Sequence, residues 1–286
     1  MNSDNNLHRL SAFTDHPAGG NPAGIWIGER LPDAAQMQRI AAEVGYSETI
    51  FLAPRVGSVR EVRYFSPAAE VSFCGHATIA AGVLLGEIDG PGRTNFLTRA
   101  GEVEVTTGLR DGRTWASLRS VPTRHEAAAH DLVDAALALV GWHHDELDPR
   151  IPPAKAYAGA WHLVLAAREK SRLDTLAYPF EALRSLMQQH QLTTLQLVWQ
   201  EHPGQFHARN PFPVGGVVED PATGAAAAAF GGYLRDAGLI AAPTTFTIEQ
   251  GEAMGRPSRI DVEVPVAGGI VISGTAAAIA AEPATA

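Results

Sequence analysis

The chain has 286 residues, with 31 acidic against 22 basic side chains and a formal net charge of -9 at pH 7. Its Lys and Arg residues are scattered, which excludes a surface that tracks nucleic-acid phosphates by displacing counterions, but not a small anionic substrate held by one Arg or one helix terminus. At 30.3 kDa two ordinary domains can bury adequate cores without covalent staples, and a single cysteine rules out an intrachain disulfide.

The opening MNSDNNLHRL lacks the apolar core of a signal peptide, and no stretch of 18 uninterrupted apolar residues follows. A soluble, cytoplasmic protein is therefore expected, with no membrane or nucleic-acid partner. Small molecules and other protein chains are the remaining partner classes.

LPDAAQMQRIAAEVG is predicted to be a helix: Asp33 can cap it, Met37, Ile40, Ala41 and Val44 recur at helical spacing, and Gly45 stands where a terminating glycine belongs. SETIFLAP and VREVRYF read as strands. After FCGHAT, the run from Ile79 to Leu85 is almost free of polar residues, so a helix there is buried all round. GEVEVTTG and RTWASLRS alternate like strands joined at Asp111-Gly112. DLVDAALALVG and PFEALRSLMQQH are further predicted helices, with WHLVLAA and LTTLQLVW as strands.

A faint internal repeat runs through this order. A shift of about 146 residues sets Arg63 on Arg209, Pro67 on Pro213 and Cys74 on Asp220, and the apolar helix after Cys74 on GAAAAAFGGYLRDAG. A duplicated αβ unit follows, with equivalent helix starts near residues 76 and 222 expected to face one cleft. Free amides there can hold a carboxylate or a developing enolate oxygen.

Among reactive residues, Cys74 has no second cysteine to work with, so a two-thiol racemase mechanism within one chain is excluded. Residues i and i+2 do not face each other on a helix, which argues against a Cys74–His76 pair, and CxH lacks the second half of a metal pattern. Cys74 reads as a buried thiol beside the site, with catalytic participation as the alternative. His76 sits among small residues at a helix start and reads as functional or as a capping histidine. Glu48 shares a strand face with Ile50 and Leu52, an acid/base position unless the strand start leaves it solvated. Asp220 reads as a site residue or as the turn residue of VEDPATG. His162 is expected to be a partly buried strand residue, and His130, His143 and His144 to face solvent.

GGNPAG at 19–24, SETIF, RYFSPAAE before FCGHAT, EDPATG and QG…GRPSRI together resemble the PhzF-like proteins, whose namesake is an isomerase of phenazine biosynthesis. The resemblance spans nearly the whole chain. It implies an α+β fold of two similar diaminopimelate-epimerase-like domains, each a barrel-like sheet around a central helix. Residues 1–121 with 267–286 would form the first and 122–266 the second. The implied activity moves a proton between carbons of a small carboxylated or cyclic metabolite without a cofactor or metal, and a homodimer is a possible assembly. Glu48 matches the family's proton-moving glutamate, and His76 and Asp220 its site-lining polar residues. Asn21, Gly75, Gly224 and Ala225 fall in the substrate-binding segments. The family commonly has serine where Ala225 stands, so a hydroxyl donor is lost. A free carboxylate, with a pKa of about 4, is a weak base for carbon acids, so the mechanism requires desolvation or an activated substrate. The alternatives are an amino-acid-type epimerase and a non-catalytic binding protein on the same scaffold. GGNPAG lacks the GxGxxG spacing and no phosphate-binding loop occurs, so no nucleotide site is expected.

Overall fold

The computed structural model describes residues 6–280. They form two compact units: residues up to Arg119 together with those from Ser273 onward, and Ser120–Ile272. The first begins with β1 (Leu7–Ala12), β2 (Asn21–Ile27), α1 (Ala34–Val44), β3 (Glu48–Leu52), β4 (Val59–Phe65), β5 (Glu70–Val71), α2 (Gly75–Asp89), β6 (Gly92–Thr98), β7 (Gly101–Arg110) and β8 (Arg113–Arg119). The second contributes β9 (Arg124–Ala127), α3 (His130–Val140), β10 (Ala154–Tyr157), β11 (Trp161–Ala167), α4 (Lys170–Asp174), α5 (Phe180–Gln189), β12 (Thr194–His202), β13 (Gln205–Arg209), α6 (Gly224–Asp236), β14 (Thr244–Gln250) and β15 (Ser258–Val264). From Ser273 on, the last strand β16 (Val271–Ala278) belongs to the first unit.

In the first unit β16, β1, β2, β3, β4, β6, β7 and β8 are neighbours in that order, and β8 adjoins β16, so eight strands close a barrel. Closure removes the sheet edges that would otherwise offer unpaired backbone. Outside it, α1 starts in a capping box in which Asp33 accepts from the Gln36 amide at 2.8 Å, and it stops at Gly45, φ 71°. Met37 and Ala41 are buried against Trp26, Phe51 and Phe65.

The central helix α2 touches β1, β2, β3, β7 and β8, and every residue from His76 to Gly86 is buried. Small side chains are what let the strands approach. A Cβ at Gly82 would lie 2.8 Å from both Ala116 Cβ and Val105 Cγ1. Gly82→Leu is thus expected to destabilise the chain by about 1–3 kcal/mol, more than the gain of roughly 1 kcal/mol in helix propensity. A fall in the urea midpoint at constant m would register this; an unchanged midpoint would mean the barrel has room around α2.

In the second unit the strand order is β9-β10-β11-β12-β13-β14-β15. The central helix α6 touches β9, β10, β11, β12 and β15. On the opposite face Leu163 and Leu165 of β11 and Leu195 and Leu197 of β12 pack with residues of α3 and α5, among them Leu132, Leu183 and Met187. Strand β11 is therefore covered on both sides. His162 is fully buried, not partly buried as its sequence context suggests, because α6 closes the face its Leu163 neighbour does not use. His130, His143 and His144 are exposed.

His162 Nδ1 shares a 2.7 Å hydrogen bond with Thr194 Oγ1, and burial pushes its pKa down from 6.5 to about 3. The folded chain keeps the ring neutral where the unfolded chain protonates it, so this group favours folding fully above pH 6.5. That contribution is lost as pH falls from 6.5 toward 3, because the unfolded state then binds more protons. In His162→Phe, stability measured by denaturant titration should decline less steeply across that interval than in the parent. Parallel profiles would contradict a buried neutral imidazole.

The repeat holds in architecture but with a different register. Gly75 and Gly224 open the two central helices, an offset of 149 (224 less 75) and not 146. Cys74 is the N-cap residue of α2 and Thr223 that of α6, so the counterpart of Cys74 is Thr223, not Asp220. In each unit a strand arginine grips a glutamate five residues before the helix: Arg63 binds Glu70 through Nε and Nη2 at 2.7 and 2.6 Å, and Arg209 binds Glu219 through the same two nitrogens. Three extra residues between arginine and glutamate in the second copy displaced the sequence alignment. Among the described residues no helix is long and apolar enough to cross a membrane.

Candidate active site

Strand β3 pairs in parallel with β2, placing Ala23 beside Glu48 and Ile25 beside Ile50. Trp26 and Phe51 lie on the outer face under α1, so the two-residue period puts Asn21, Ala23, Glu48 and Ile50 on the inner face toward α2. Glu48 is the first residue of its strand and keeps 21% of its side chain exposed, so it is neither sealed in nor freely solvated. Asn21, the first residue of β2, is buried.

His76 is the second residue of α2 and its side chain is 9% exposed. Its Nε2 lies 3.4 Å from Glu48 Oε2 and 3.4 Å from Ser47 Oγ, and its Nδ1 lies 3.4 Å from Cys74 Sγ. The proximity of Cys74 and His76 reverses the expectation from helical spacing. Cys74 is not helical: as N-cap it has φ -143° and ψ 118°, and that extended turn swings the thiol back over the ring. No side chain caps α2, which leaves the backbone donors of its first turn, Gly75 included, for a ligand or solvent. Gly75 has open space where a Cβ would stand, with only Phe73 Cε1 at 4.0 Å.

The start of α2 is anchored from beneath. Thr78 Oγ1 donates to the Cys74 carbonyl at 2.7 Å, so the Tyr64 hydroxyl must be the donor in its own 2.7 Å bond with Thr78 Oγ1. Burial raises the Tyr64 pKa, which holds that proton in place. Glu48, Cys74 and His76 have donor atoms within 4.8 Å of one another and could hold a metal ion.

The second unit assembles Asp220, Gly224 and Ala225 around the start of α6, with Gly224 and Ala225 half-buried. Thr223 Oγ1 donates to Asp220 Oδ2 at 2.7 Å. Gln250 Nε2 donates to the Asp220 carbonyl at 2.7 Å and to Thr223 Oγ1 at 3.0 Å, and Gln250 Oε1 accepts from the Thr223 amide at 3.3 Å. The turn-residue reading of Asp220 accords with these contacts: its side chain shapes the loop that opens α6.

Ser47, Tyr64, Thr78, Thr223 and Gln250 were not singled out from sequence. Ser47 and Thr78 lie inside the motifs SETIF and FCGHAT, and Gln250 is a polar residue buried at the end of an alternating strand. That burial is the one local signal that could have flagged it.

Comparisons with known proteins agree over most of the chain. A family model described as phenazine biosynthesis-like protein, PhzC-PhzF, matches residues 10–282. The uncharacterized isomerase YfhB of Bacillus subtilis is 31% identical over 283 residues, covering 94% of each chain. An uncharacterized isomerase of Deinococcus radiodurans is 33% identical over 271 residues, covering 91% of this chain and 86% of the relative. The phenazine biosynthesis protein of Bacillus anthracis, PhzF family, matches in structure with a TM-score of 0.84 at 24% identity over 96% of both chains. The architecture is the α+β, diaminopimelate-epimerase-like fold.

Proposed function

Since the chain belongs to the phenazine biosynthesis-like family and is an isomerase, we propose that it moves a proton between carbons of a small carboxylated or cyclic metabolite, with Glu48 as the group that carries the proton. The observation that supports this most is the 3.4 Å approach of Glu48 Oε2 to His76 Nε2 at the uncapped start of α2. A half-buried carboxylate beside an imidazole can take a proton from an activated C–H and return it, while the backbone amides at Gly75 hold a substrate carboxylate or carbonyl whose charge grows in the intermediate. His76 orients Glu48 and stabilises that charge. Asn21 lines the first-unit site in this reading, and Asp220, Gly224 and Ala225 are the second unit's own candidates for holding substrate. Ala225 brings no hydroxyl, so the substrate differs from one that needs a donor there. The proton transfer itself calls on no cofactor.

The test is incubation of the chain with cyclic and amino-type carboxylic acids in heavy water. Deuterium incorporation with the double bonds relocated on an unchanged carbon skeleton is the expected result. Inversion at one centre with connectivity intact would redirect the reading to an epimerase. Absence of exchange with every acid that saturably protects the chain from thermal unfolding would favour a binding protein.

A further inference from the structure

The second unit carries a cluster of potential metal ligands of its own. A cavity of about 320 Å³ is bordered by His207, Glu249 and Glu252, with Lys170 and Asp174 on its rim. His207 is only 9% exposed. Its Nε2 lies 2.8 Å from Glu201 Oε2; an ionised carboxylate can only accept, so Nε2 carries a proton, and in the neutral ring Nδ1 is the nitrogen that presents a lone pair. The Trp199 ring packs against it at a tilt of 41°, with centroids 5.4 Å apart. Nδ1 has no hydrogen-bond partner among the described residues; its nearest carboxylate oxygen, Glu252 Oε2, is 3.7 Å away. In the parallel pairing of β13 and β14, His207 and Glu249 are direct neighbours. Glu252 enters from the turn that Gly251, φ 79°, allows.

We propose that His207 Nδ1, Glu249 and Glu252 form a binding site for a divalent cation of the zinc type, with an open coordination position for water. The three donor atoms lie within 4.8 Å of one another. Tetrahedral zinc with bonds of about 2.0–2.1 Å needs its donors about 3.3 Å apart, a closure that the exposed Glu252 side chain can make by rotation. One imidazole with two carboxylates suits a borderline cation, and a histidine whose other nitrogen donates to a carboxylate is the arrangement such ligands adopt. Lys170 is the competing charge, 3.9 Å from Glu252 and 3.0 Å from Asp174. It is partly exposed and loosely held, so it retreats to Asp174 when a cation enters. Arg209 is committed to Glu219.

The test is titration of the chelator-treated full chain with Co2+ and Zn2+, read by cobalt absorption and by calorimetry. One equivalent with d–d bands and no thiolate-to-cobalt charge transfer is expected, retained in Cys74→Ala. Glu201→Gln should weaken it about 10–100-fold, and His207→Gln at least as much. Glu252→Gln, at an exposed position, should do likewise with an unchanged melting temperature before metal is added. Failure of the parent chain to bind either cation, binding that these variants leave untouched, or a thiolate band lost in Cys74→Ala would overturn the proposal. None of these readouts depends on the isomerase reading.

Discussion

Glu48→Gln is expected to lower turnover, measured as deuterium uptake from heavy water into a substrate that the parent chain isomerises, by about 10²–10⁴-fold, the usual contribution of a positioned acid/base. The amide keeps the size of the side chain and a hydrogen-bonding oxygen toward His76, but it cannot accept a proton from carbon. Substrate binding should change far less than kcat, because the carboxylate acts on the transition state. Folding is not at risk: Glu48 is the first residue of β3 and 21% of its side chain is exposed, so the melting temperature should stay near that of the parent. A loss of less than about threefold would remove Glu48 as the essential base and leave His76 or Asp220 to be tested for the role.

The second large effect is on stability. Arg209 and Glu219 are 14% and 5% exposed at their side chains and joined by two hydrogen bonds, and Arg209 Nη1 also donates to the Leu173 carbonyl at 2.7 Å. Arg209→Met leaves a buried carboxylate without its cation, which costs about 3–5 kcal/mol. For a chain of this size that corresponds to a fall of roughly 10 °C in melting temperature. Arg209→Met with Glu219→Leu should recover much of the loss, since the unpaired charge and not the missing arginine is the expensive part. A single variant that melts within about 2 °C of the parent would mean that water reaches Glu219 and solvates it. Glu219 directly precedes Asp220, so the single variant also tests whether this ion pair holds the loop that opens α6.

Local order was the most legible part of the chain. The Asp33 cap, the Gly45 stop and the spacing of Met37 and Ala41 are interactions within one turn or one face, and α1 formed as they require. The strands Gly101–Arg110 and Arg113–Arg119 and their Asp111-Gly112 turn followed from alternation and two residues that accept positive φ. The absence of polar residues after Cys74 anticipated a helix enclosed on every side, and α2 is one. The acid excess, the single thiol and the ordered motifs from GGNPAG to GRPSRI bounded the chemistry and pointed to the family.

What the sequence could not supply is distance between residues remote in the chain, or a register shifted by an insertion. His162 reads as half-buried on its own strand and is sealed only because α6 covers one face and α3 with α5 pack on the other. Spacing along a helix separated Cys74 from His76, yet the extended backbone at the N-cap joins them. A simple shift matched Cys74 to Asp220 and holds for Arg63 and Arg209, whereas the helix starts and the glutamates those arginines grip match it to Thr223. The sequence by itself therefore determined the elements, the small-residue core helices and the reactive residue types. Only the tertiary structure decided which of them meet, because closing the barrel sets Glu48 against His76 and strand pairing sets Glu249 beside His207. Capping and periodicity act over a few residues, while these contacts depend on long-range packing that no local pattern encodes.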